Sequence, residues 1–157
     1  METEMTDRII PYILESPRIY TPDEILNCEA GPILDALVSS LVLSQGTYVI
    51  NRPKGFPHII QHVIQTPDGR LILPDNHSTD IGAAWPVIEK LTDDKSEKWF
   101  TFAMRRCTGW NDPAWGYEVT FGVPYQYGNK DKSAWATTAP LAISRAALLV
   151  TQSTRHR

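Results

Sequence analysis

TTAPLAISRAALLV, residues 137–150, is the stretch on which the fold turns. It contains one charge, Arg145, in a run of good helix formers, with Thr138 placed to cap a helix and Pro140 inside the first turn, where a missing N–H is harmless. Apolar residues spread around most of the predicted helix, 138–151, so it belongs against other layers rather than at the surface. A second helix of the same character is predicted over 78–92, with Ile81, Trp85, Ile88 and Leu91 on its inner side and Gly82, Ala83 and Ala84 allowing close approach to a neighbour. Its leading polar triplet, Ser78, Thr79 and Asp80, reads as a cap for orphan amides of the first turn. Pro86, deeper in this helix, predicts a kink.

The segments between these helices read mostly as strands. KWFTFAMRR, 98–106, alternates Trp99, Thr101, Ala103 and Arg105 with Phe100, Phe102, Met104 and Arg106, the pattern of a strand covered on both sides. GYEVTFG, 116–122, places Tyr117, Val119 and Phe121 on one face and predicts an antiparallel partner. PHIIQHVIQTPDGRLILP, 57–74, is a hairpin turning at TPDG. His58 and His62 are four apart, but in a strand that separates them by roughly 13 Å, so they are not a metal pair. YQYGNKDKSAWAT, 125–137, reads as a long polar loop.

Toward the N-terminus, TPDE at 21–24 has the hydroxyl, proline and glutamate of a capping box, predicting a short helix, and ILDALVSSLVL, 33–43, has helical apolar spacing. The organisation predicted is an N-terminal extension over 1–20, one domain over 21–151 with a hairpin insert around 46–74, and a flexible tail over 152–157. With 157 residues, of which 42% are hydrophobic and 21% charged, the chain is long enough for a core of its own. A net charge of −3 argues against coating bulk nucleic acid, and two widely separated cysteines give no zinc or disulfide framework. No window reaches the roughly 20 apolar residues of a membrane span. These features predict a cytoplasmic protein.

TPDEILNCEAGPILDALVSSLVL, HSTDIGAAWPVIEKL and TTAPLAISRAALL, in this order, resemble the phage ABA-sandwich domain family over about two thirds of the chain. The departures are Ser144, where the family usually has cysteine, and Gly82 and Pro86, where it has alanine or a charged residue. The resemblance implies a three-layer α/β/α sandwich with a mainly antiparallel central sheet, encoded by a phage or prophage and working in the host cytoplasm. Similar in length and layout are the Thoeris anti-defence sponges, which hold cyclic ADP-ribose signals and related cyclic nucleotides without cutting them. None of their ligand contacts is carried over, so the site is sought in this chain's own chemistry.

Arg145, alone in an apolar helix, needs an anion, either an internal carboxylate such as Asp80, Asp35 or Glu89 or the phosphate of a ligand. Arg105 and Arg106 end their strand on opposite faces, so at most one shares a pocket with Arg145. Trp110 and Trp115 beside them offer aromatic plates for a base, although Trp115 and Tyr117 also suit a sheet core. Thr138 heads a helix with no acid in its first turn, an anion seat. No catalytic constellation, metal cluster or cofactor motif can be placed. The expectation is a non-catalytic phage protein that sequesters a small cyclic nucleotide, as a homodimer or higher homo-oligomer with the pocket at a subunit boundary. The alternative is a structural or protein-interaction domain, with a nucleotide hydrolase as a third reading.

Overall fold

The computed structural model describes residues 12–56, 58–93, 95, 99–109, 113–122 and 132–155. Four α-helices, α1 (Pro22–Leu26), α2 (Pro32–Leu37), α3 (Ile81–Thr92) and α4 (Ala139–Arg155), accompany seven strands among these residues. A π turn, Val38–Val42, continues α2. β1 (Tyr12–Glu15), β2 (Thr47–Pro53), β3 (Gln61–Gln65) and β4 (Leu71–Ile72) form one antiparallel sheet in that order. β5 (Thr101–Thr108), β6 (Trp115–Gly122) and β7 (Lys132–Ala136) form a second, also antiparallel. The expected α/β sandwich with mainly antiparallel strands is what forms, its strands divided between two sheets. No helix among the described residues is long and apolar enough to cross a membrane.

α4 organises the packing. It lies on β6 and β7 and also meets α3, α1, α2 and the π turn, while α2 and the π turn back β2 and β3. Covered on so many sides, it buries Ala142, Ile143, Ala146, Ala147, Leu148 and Val150 completely, which is why its sequence is apolar nearly all round. The helix continues to Arg155, past the end predicted at 151. The capping box on Thr21 forms, with Glu24 N donating to Thr21 Oγ1 at 3.3 Å and Thr21 N to Glu24 Oε1 at 3.2 Å. The TPDG turn also forms, closed by Thr66 N donating to Arg70 O at 2.8 Å, with Gly69 at φ +89°. Within the predicted N-terminal extension, Tyr12–Glu15 add to the first sheet by pairing with Ile50–Pro53.

Three expectations change. α3 buries Ala84, Val87, Ile88 and Leu91, leaving Ile81 and Trp85 49% and 53% exposed. The small Ala84 lets this stripe approach α4 closely, which Trp85 on the contact face would prevent; Gly82 is outside the contact and exposed. The strand predicted in KWFTFAMRR starts at Thr101 and is largely exposed, because β5 is an edge strand extending past the cover of the helices. Lys132–Ala136, inside the predicted polar loop, form β7, whose Ala134 and Ala136 face the core beside Val119 and Tyr117.

The triplet before α3 divides its work. Asp80 is the N-cap, accepting from Gly82 N at 2.8 Å. Ser78 is buried and ties two helix starts together: its amide and hydroxyl donate to Asp35 Oδ1 at 2.8 and 2.7 Å, and Gly31 N donates to its Oγ at 2.9 Å. His77, also buried, sits 2.8 Å from Ala83 O through Nδ1 and 2.9 Å from Ser39 Oγ through Nε2. A carbonyl can only accept, so Nδ1 carries the proton and Nε2 accepts from Ser39. Each of these buried polar groups thus has its partner. Asn51 Oδ1 and Ser144 Oγ are the counter-examples, both buried without a hydrogen-bond partner among the described residues, the second within α4.

Two substitutions should therefore shift stability in opposite directions. Asp35→Ala strands two buried donors of Ser78 and is expected to cost ~2–4 kcal/mol, whereas Ser144→Ala removes an unsatisfied hydroxyl and should add about 1 kcal/mol. Urea unfolding midpoints of the two variants check this, and a destabilised Ser144→Ala would contradict the assignment.

Candidate functional site

The site is assembled around the segment between β1 and α2. Pro17 and the residues after it leave the first sheet, and the capping box starts α1, whose Ile25 inserts into the core. Polar atoms of α4 fasten this segment at two points. Gln152 Nε2 donates to Tyr20 O at 2.9 Å. Arg145 Nε and Nη2 donate to Cys28 O at 3.0 and 2.6 Å, while its Nη1 donates to Trp135 O, near the end of β7, at 3.1 Å. Burial holds this guanidinium below its ordinary pKa, a direction that leaves an arginine charged.

Between the fastened segment, β2 and the π turn lies a cavity of 440 Å³. Ile25, Leu37, Leu41 and Leu148 give it apolar walls, and Tyr20 and Tyr48 add aromatic ones. Ser40, Thr47 and Gln152 bring polar atoms, and Arg18 brings the positive charge. The Tyr48 ring is fixed by a 2.5 Å hydrogen bond between its hydroxyl and His62 Nδ1. Burial pushes the Tyr48 phenol far up and the His62 imidazole down, so both are neutral near pH 7. Arg18 sits at the rim, its side chain 62% exposed, with its guanidinium carbon 4.3 Å from the centre of the Tyr20 ring and Nη1 paired with Glu24 Oε2. The Glu24 carboxyl is held below its usual range first by the backbone hydrogen bond from Thr21 and then by Arg18.

The residues predicted from sequence are distributed differently. Arg145 is engaged by main-chain carbonyls, not by the carboxylates considered for it: Asp35 is bound to Ser78 and Asp80 caps α3. Arg105 pairs with Glu118 at 2.8 Å on the exposed face of the second sheet, and Arg106 stands opposite Tyr117 on the other face. Trp115, opposite Thr108, is 64% exposed. Thr138 is exposed, and its carbonyl accepts from Ala142 N at 3.1 Å in the first turn of α4. None of these five lines the cavity. Trp110 lies outside the described residues. Arg18, Tyr20 and Tyr48 were missed; the one local signal was RIY, residues 18–20, a cation and an aromatic side chain two apart just before the capping box.

In fold, the chain is similar to a phage protein from Bacillus cereus ATCC 14579, with a TM-score of 0.52 and 20% identity, covering 85% of this chain and 99% of that one. No protein-family model and no curated protein matches it.

The hydrogen bonds of Arg145 predict a structural role. Arg145→Leu leaves two half-buried carbonyls without donors and should lower stability by about 2–4 kcal/mol, with Arg145→Lys recovering part of the loss. Thermal unfolding measures this; an Arg145→Leu protein as stable as the parent would show that the clamp contributes nothing.

Proposed function

We propose that the protein is a phage-encoded binding protein that sequesters a small nucleotide, of the cyclic ADP-ribose class or close to it, without altering it. The cavity carries this reading. Its 440 Å³ falls within the ~300–1,000 Å³ of small-molecule sites, and its mixture of apolar walls with a few polar groups is the usual composition of one. A purine ring has tyrosine faces to lie against, and its phosphate has a guanidinium at the rim.

The lining favours binding over chemistry. Among the described residues its ionisable groups are an arginine and two tyrosines, poor proton carriers near neutrality. Phage origin is supported by the fold likeness to the Bacillus cereus phage protein.

The protein is to be incubated with cyclic ADP-ribose isomers and cyclic oligonucleotides, freed of unbound material and denatured, and the released compound identified. Intact nucleotide is expected. Thr47→Trp, at an exposed position on the cavity wall, should cut retention by about tenfold or more, since added bulk there excludes ligand without opening the core. Release of a chemically changed product would contradict sequestration, and no retained nucleotide would leave the interaction-domain reading.

A further inference from the structure

We propose that Arg18 and Glu24 form an exchangeable latch at the cavity rim, in which a ligand phosphate takes the guanidinium from Glu24, so that the site selects phosphorylated nucleosides over uncharged ones. This rests on the nucleotide reading above and names what sets its preference.

The two oxygens of Glu24 have separate tasks. Oε2 pairs with Arg18, while Oε1 accepts from Thr21 N at 3.2 Å and Thr21 Oγ1 at 3.1 Å. Losing Arg18 therefore leaves the carboxylate still bound to the capping box, and with its side chain 34% exposed it regains water on the freed oxygen. Arg18 is likewise retained when Glu24 lets go, because its guanidinium remains stacked on the Tyr20 ring, and Tyr20 is fastened to α4 through Gln152. An exposed pair of this kind contributes little to stability, so exchange is easy. A phosphate can take two parallel N–H bonds from the guanidinium, and a terminal one such as that of AMP also brings more charge than a carboxylate, whereas Glu24 must keep one oxygen turned toward Thr21. Glu24 thus acts as a resident competitor. A neutral nucleoside does not displace it and gains nothing from Arg18.

Calorimetric titration of the full chain with adenosine and AMP tests this in the parent, Glu24→Gln and Arg18→Gln proteins. Glutamine still serves the capping box, so α1 is kept. The AMP-to-adenosine affinity ratio should exceed one in the parent, rise about fivefold in Glu24→Gln, and fall close to one in Arg18→Gln. If the parent binds these probes but the ratio is unchanged in both variants, the latch is overturned while the nucleotide reading stands. If neither probe binds the parent or Glu24→Gln, the latch is overturned, and the nucleotide reading falls with it only if the cyclic nucleotides are not retained either.

Discussion

Helix α4 is too apolar to face water, and two of the polar side chains it carries, Arg145 and Gln152, are engaged on main-chain oxygens of other segments. Arg145 grips the carbonyls of Cys28 and Trp135, and Gln152 grips that of Tyr20. A buried guanidinium needs acceptors, and a buried or half-buried carbonyl needs donors, so each requirement answers the other. The result is that residues 20–28 are held against a helix that is itself fixed on β6 and β7.

That strapping keeps the hollow beside it open. The segment is fastened at Tyr20 and Cys28 and anchored by Ile25 in the core, so it cannot collapse freely onto β2 and the π turn. The π turn contributes as well: Ser40 accepts from Tyr48 N at 3.3 Å and donates to Gly46 O at 3.0 Å, which sets the distance between the turn and the start of β2. The buried polar cluster of Asp35, Ser78, Ser39 and His77 holds the other end of the same unit against α3. Electrostatics then divides the molecule: Arg145 serves the architecture, and Arg18 is left at the surface, able to meet a ligand.

The parts of the fold that were legible in the sequence are those governed by local rules. The capping box at Thr21, the TPDG turn, the Tyr117, Val119 and Phe121 alternation and the apolar final helix all depend on residues within a few positions of one another. What could not be read depends on distant partners. β7 is a five-residue strand preceded by a polar stretch, and only pairing with β6 distinguishes it from loop. The face that α3 turns inward follows from its packing on α4 through the small Ala84, which its apolar periodicity alone did not single out. Arg145 reads in the sequence as needing an anion, a carboxylate or a phosphate, but it is held by carbonyl oxygens, which have no signature in a sequence. The cavity joins residues as far apart as Ser16 and Gln152, with no motif to announce it.

The seat proposed for a ligand is the hollow that α4 maintains, not the arginine and tryptophan end of the second sheet. Amide chemical-shift mapping of isotopically labelled protein during titration with AMP tests this most directly. Perturbations concentrated at Arg18, Tyr20, Ser40, Tyr48, Leu148 and Gln152 are the predicted result. Shifts concentrated at Arg105, Arg106, Trp115 and Thr138, with the cavity amides unmoved, would contradict it.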